Sequence, residues 1–169
     1  IERRLTDTVT GTLITRYGLR RYNDSFAERN TNFFTLGPRV DYRALDWLTL
    51  TLTYLYERGL ADGHKDTQFA DDVSYYLHMV SAGTEVRINR QWDLGFTYIH
   101  RRKTFTSGLA GDTHVGRFDA THQGIAELRY HMSAAATVML SFQYGKRTST
   151  NALRDFQDSI LSIGGQYRF

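Results

Sequence analysis

The stretch FQDSILSIGGQYRF, residues 156–169, decides the fold. From Ser159 onward one alternate set is Ser159, Leu161, Ile163, Gly165, Tyr167 and Phe169. The other is Ile160, Ser162, Gly164, Gln166 and Arg168. The first set is apolar or small and ends in aromatics, and the second is mostly polar. Only an extended strand turns successive side chains to opposite faces, so this two-residue rhythm predicts a β-strand with unlike faces.

The same rhythm runs through the chain. Leu48, Leu50, Leu52, Tyr54 and Tyr56 alternate with Thr49, Thr51, Thr53, Leu55 and Glu57 in its clearest instance. Ala136, Val138, Leu140, Phe142 and Tyr144 alternate with Thr137, Ser141, Gln143 and Arg147. Further strands are predicted at about Thr8–Arg20, Phe33–Ala44, Tyr76–Ile88, Leu94–Lys103 and Gln123–His131. Asn23–Asn30, Gly59–Asp72, Thr106–Asp119 and Thr148–Asp155 are polar and read as long loops. Leu45-Asp46, Asn89-Arg90-Gln91 and the neighbourhood of Ser133 read as short turns. Pro38 falls in mid-strand on the apolar face, where its missing N–H deletes a ladder bond, so a local bulge is expected there. The strands and alternating connections predict one all-β domain over residues 1–169, an eight-stranded antiparallel up-and-down arrangement.

Composition narrows the class. The chain has 169 residues, is 41% hydrophobic and has a mean hydropathy of −0.46, which resembles a soluble protein. A transmembrane barrel strand, however, spends only half its residues on lipid. No apolar run reaches the ~18 residues a membrane helix needs. Aromatics reach 14%, which is high, with 11 Tyr and 10 Phe against 2 Trp. No cysteine is present, which excludes a disulfide framework and thiolate metal ligands. The net charge of +3 is too small to argue for nucleic acid. The chain opens on Ile1 without a signal peptide, as expected of a mature or excised chain.

With the short turns set on one side, two aromatic belts emerge. Tyr17, Phe34, Tyr54, Tyr56, Tyr76, Tyr98, Phe142 and Tyr144 fall near the long-loop rim. Tyr42, Trp47, Trp92, Tyr130, Tyr167 and Phe169 fall near the short-turn rim. Leu, Val and Ala lie between, the banding a bilayer selects. The closing residues Tyr167 and Phe169, with this pattern, resemble the last strand of bacterial outer-membrane β-barrels. The resemblance covers the whole chain by pattern and the last three residues by motif. It implies a small OmpA/OmpX-type barrel, or the C-terminal hairpins of a porin-like barrel, in the outer membrane of a Gram-negative cell. It also implies that Tyr167 and Phe169 are an assembly signal read by the barrel assembly machinery. Outer-membrane lipid and lipopolysaccharide would be its surroundings.

The polar face carries Arg16, Arg39, Asp41, Glu57, Glu85, Arg87, Arg101, Glu127, Arg129 and Arg147, with Arg20, Arg43 and Arg168 besides. Inside a barrel such charges must pair, and they are expected to form a salt-bridged core. The glycines of that face, among them Gly18, Gly37 and Gly145, are expected to make room for the long side chains. An eight-stranded interior is just filled by side chains. The expected function is therefore a non-enzymatic integral barrel with a structural, scaffold or surface-interaction role. Phe26, Arg29, His64, Phe69 and His114 are its outer-loop interaction candidates, toward a protein partner. The alternative is a porin-like channel in a wider barrel, where the basic excess would favour small anionic solutes.

Three catalytic or metal readings are weaker. Asp112-Thr113-His114 resembles the Asp-x-His element of the omptin proteases, but Asp71-Asp72 is adjacent rather than spaced by one, and that family has ten strands. His131-Met132-Ser133 loosely resembles the His-x-Ser of lipid A deacylases, yet sits at the short-turn end. His64, Asp66, Asp112 and His114 would have to meet above the barrel to bind a metal. No catalytic residue, metal or cofactor is expected.

Overall fold

A computed structural model describes residues 1–64 and 71–168. Its strands are β1 (Glu2–Arg4), β2 (Val9–Arg20), β3 (Thr31–Leu45), β4 (Leu48–Ala61), β5 (Tyr75–Arg87), β6 (Trp92–Phe105), β7 (Phe118–His131), β8 (Ala136–Ser149) and β9 (Phe156–Tyr167). They form one antiparallel up-and-down sheet in chain order. Among the described residues no helix is long and apolar enough to cross a membrane. Two 3₁₀ turns, Asp24–Arg29 and Ala152–Arg154, sit in the first and last long loops.

Two features differ from the eight-stranded closed barrel expected from the sequence. There are nine strands, and the sheet is open, with β1 and β9 at its edges. Both follow from one local event. The segment before Val9 folds back, pairing Glu2 with Thr12 and Arg4 with Thr10, and Ile1 exchanges hydrogen bonds with Leu13 at 3.0 and 2.7 Å. The edge of β2 that a closed eight-strand ring would offer to β9 is thus occupied along its first half. Three residues are too few for a period-two signal to register, so β1 was invisible to pattern reading.

β4 and β7 run further than their alternation suggested, continuing past the apolar band into the loops, whereas β2 and β5 keep close to the expected lengths. The first turn is Asp46–Trp47, one residue on from the expected position, with a register shift between Arg43 and Leu45. The expected bulge at Pro38 is absent. Leu36 pairs with Tyr56 and Arg39 with Thr53 in one unbroken register, and only the pairs between them drop out. Gly37 explains this. A Cβ there would lie 1.9 Å from the Tyr54 carbonyl oxygen, so the glycine lets β4 press against the proline without a slip.

The faces are inverted relative to a water-soluble sheet. Leu36, Leu50, Leu52, Tyr98, Leu140 and Phe142 are exposed on the convex side, Leu52 at 58%. The buried apolar residues are Ala61, Tyr75, Phe105 and Leu109, and they gather at the long-loop end. Thr31, Thr35, Glu57, Arg117 and Asp119 are buried with them, while Thr53 is buried in mid-strand and Asp93 at the short-turn end. Two glycines on the concave face receive aromatic rings rather than arginines, and Gly145 receives the Asp158 carboxylate. Phe33 lies over Gly18 and Tyr75 over Gly59, where an added Cβ would come within 2.2 and 2.4 Å of the ring.

Candidate functional site

Strand alternation turns the expected charge network onto the concave face, and cross-strand register decides its pairs. Arg16 on β2 donates to Glu57 on β4 at 2.9 Å, reaching across β3. Thr35 and Tyr75 donate to the same carboxylate, each at 2.6 Å. Arg39 forks onto Asp41, which also accepts from Thr51 at 2.7 Å. Arg129 bridges Glu127 and Glu85, the latter at 3.1 Å. Arg87 faces Asp93 at 3.8 Å. Arg147 instead donates to the Arg154 carbonyl and covers the Phe156 ring, while Arg101 is exposed with no ion-pair partner among the described residues. The concave face is therefore paired in small clusters. Between them lies a hollow of about 340 Å³ lined by Thr, Ser and Gly as well as Arg39, Glu85 and Arg129.

The long-loop end carries a second constellation. His114 Nδ1 lies 2.8 Å from Asp71 Oδ1 and 2.9 Å from Asp112 Oδ1. Arg29 donates to Asp71 through Nε. Asp112 accepts from Ser107 Oγ at 2.5 Å and from the Asp72 backbone N–H at 2.9 Å, and Asp72 is paired with His64 at 3.0 Å. Burial pushes the Asp112 carboxyl up. The donors Ser107, Asp72 N–H and His114 outweigh that, holding it below the usual carboxylate range. Asp71 and Asp72 on one side and Asp112 and His114 on the other thus lock the loop after β4 to the loop after β6.

Chemically, Asp71, Asp112 and His114 could supply two carboxylate oxygens and one nitrogen to a cation. Arg29 on Asp71 opposes this by supplying positive charge already. Asp66, the other ligand considered, lies outside the described residues. The Asp112–His114 pair of the protease-like element is formed through His114 Nδ1, which Asp71 shares. His131 donates or accepts at both ring nitrogens, to Asp93 at 2.8 Å and Thr137 at 3.0 Å. Ser133 caps the turn by accepting from the Ala135 and Ala136 amides. Neither element presents a free nucleophile and base together.

The loop candidates separate in the same way. Phe26 is exposed, with Arg29 stacked 5.2 Å over its ring. His64 is half-buried against Asp72. His114 is buried at 9% rather than offered outward, because both its neighbouring carboxylates lie inside the loop layer. Phe69 and Phe169 lie outside the described residues. Tyr167 closes β9 opposite Ala136. Pattern reading missed Arg117, which forks onto Asp119 at 2.9 and 2.7 Å, and placed Lys103 on the polar face without the role it takes 3.9 Å over the Tyr75 ring. With Arg20, Arg29, Arg147 and Arg154 they line a basic hollow of about 390 Å³ at the mouth of the concave face. The run of inward basic residues at strand ends was the only available signal for it.

No family model matches the chain, and no curated protein matches it. The fold and the site define its class only as an antiparallel up-and-down β-sheet with an apolar convex face and a charged concave one.

Proposed function

We propose that this chain is an integral outer-membrane β-barrel protein of the bacterial envelope. Its role is structural, scaffolding or surface-interacting, and it is not an enzyme. The observation that supports this best is the outward face of the eight long strands. By register it carries no carboxylate at all, and large apolar side chains stand exposed along it. In water this would be an aggregation surface; in lipid it is the stable one. Hydrocarbon also tolerates no free sheet edge. In the membrane β9 therefore pairs, either with β2 after displacing β1, giving the small ring, or with further strands. The barrel assembly machinery would act through the Tyr167–Phe169 end. The loop layer built on Asp71, Asp112 and His114 would hold Phe26 out toward a protein partner through Arg29, and the last loop would offer exposed Leu153.

A porin-like channel is the second reading. The open sheet and the polar hollow beside Arg39 and Arg129 favour it, since a wider ring would leave that space to solvent. Conductance in planar bilayers separates the two. The first reading expects a heat-modifiable protein on gels with a silent bilayer. Steady currents that weaken on charge reversal at Arg87 or Arg129 would overturn it in favour of the channel. A water-soluble monomer that never enters liposomes would overturn both.

A further inference from the structure

All charges on the outward face of the eight long strands are basic, and all lie near the long loops. They are Arg58, Arg102 and Lys146, accompanied by His78, His100 and His122. Every strand carboxylate of β3 to β9 is on the opposite face. A random surface would not sort its charges by sign, side and height together.

Directly below this basic row the outward face is hollowed. Gly124 and Ala126 of β7 form a floor, with Phe96 and Tyr98 of β6 on one side and Phe142 and Tyr144 of β8 on the other. Together they line an apolar groove of about 530 Å³. One strand repeat further toward the loops, the same three strands place His100, His122 and Lys146 side by side. His100 and His122 rings are 4.6 Å apart, and Tyr98 Oη bonds His122 Nδ1 at 2.6 Å, which fixes the row above the groove. His100 Nδ1 is buried with no hydrogen-bond partner in the protein. Arg102 follows one repeat later, exposed and stacked 5.1 Å over Phe118.

We propose that this groove and row form a binding site for a phosphorylated lipid of the loop-side leaflet. An acyl chain lies over Gly124 and Ala126 between the two aromatic walls. Its headgroup phosphate is held by Lys146 and Arg102, with the His100–His122 pair beneath. An apolar slot ending in cations matches the two ends of an anionic lipid, and the absence of outward carboxylates removes any repulsion. The proposal rests on the membrane reading above and adds a specific lipid to it.

The test is native mass spectrometry of the folded protein released from nanodiscs containing bisphosphorylated lipid A or its dephosphorylated form, which share acyl chains. The expected result is several-fold higher retention of the phosphorylated lipid. In R102Q/K146Q that preference should vanish. Gly124→Leu should lose both lipids while the protein still inserts and stays heat-modifiable, since a Cβ at Gly124 meets nothing within 4 Å. Equal retention of the two lipids by the unaltered protein, or an unchanged preference in R102Q/K146Q, overturns the site while leaving the membrane reading intact. Failure to insert into nanodiscs at all would overturn both.

Discussion

Arg16 and Glu57 meet at 2.9 Å across an intervening strand, although 41 residues separate them in the chain. The two partners are unequal. The Glu57 side chain is 9% exposed and the Arg16 side chain 62%. Glu57 also gathers Thr35, Tyr75 and Arg16 together, so it joins β2, β3, β4 and β5 at one point.

That asymmetry predicts unequal costs. Glu57→Ala should destabilise by about 3 kcal/mol, because it strands two buried hydroxyl donors as well as the guanidinium. Arg16→Ala should cost less than about 1 kcal/mol, since solvent screens a mostly exposed partner. Urea unfolding in liposomes measures both, and a larger loss at Arg16 would contradict the geometry.

The face assignment makes a second prediction. Leu50→Arg places a charge on the convex side in mid-strand and should cost about 2–4 kcal/mol in a bilayer. Thr51→Arg, facing Asp41 on the concave side, should be milder. Equal losses in the same liposome assay would mean the faces are not lipid and lumen.

Backbone approach at Gly37 supplies a third. With the Tyr54 carbonyl oxygen 1.9 Å from where a Cβ would stand, Gly37→Ala must move main chain. A loss of about 1–3 kcal/mol is expected, the usual cost of overpacking. Gly124→Ala, with open space around it, should stay within about 0.5 kcal/mol of the parent. The pair can be compared by thermal unfolding in detergent.

Asp112 gives a pH prediction. Its carboxyl is held below the usual range in the folded state, so ionised Asp112 stabilises the loop layer. That contribution is complete above the unfolded carboxylate value near ~3.9 and is lost as pH falls through the lower folded value. Hydrogen exchange across residues 106–117 should therefore stay protected from neutral pH down to about 4 and open below it. Asp112→Asn should abolish the acid-dependent step; an unchanged step in that variant would point to other groups.

Much of this protein is local information. Alternation such as Leu48–Tyr56 against Thr49–Glu57 determined by itself the eight long strands, their unlike faces and, to within a residue or so at the first turn, where the chain turns, because side-chain direction in a strand depends only on odd and even position. It could not decide what each strand end pairs with. The three-residue β1, the occupied edge of β2 and the open ring are choices between competing hydrogen-bond partners. So is the unbroken register at Pro38, where Gly37 lets β4 approach. The loop layer is non-local in the same sense. The sequence offers Asp71, Asp112 and His114 as candidates for one cluster, but only the packing of two loops puts both carboxylates on one ring nitrogen. Arg117 and Lys103 reveal their basic hollow only when neighbouring strands align their ends. Tertiary structure decided these because ion-pair and edge partners are set by which strands lie side by side, a relation that no two-residue rhythm contains.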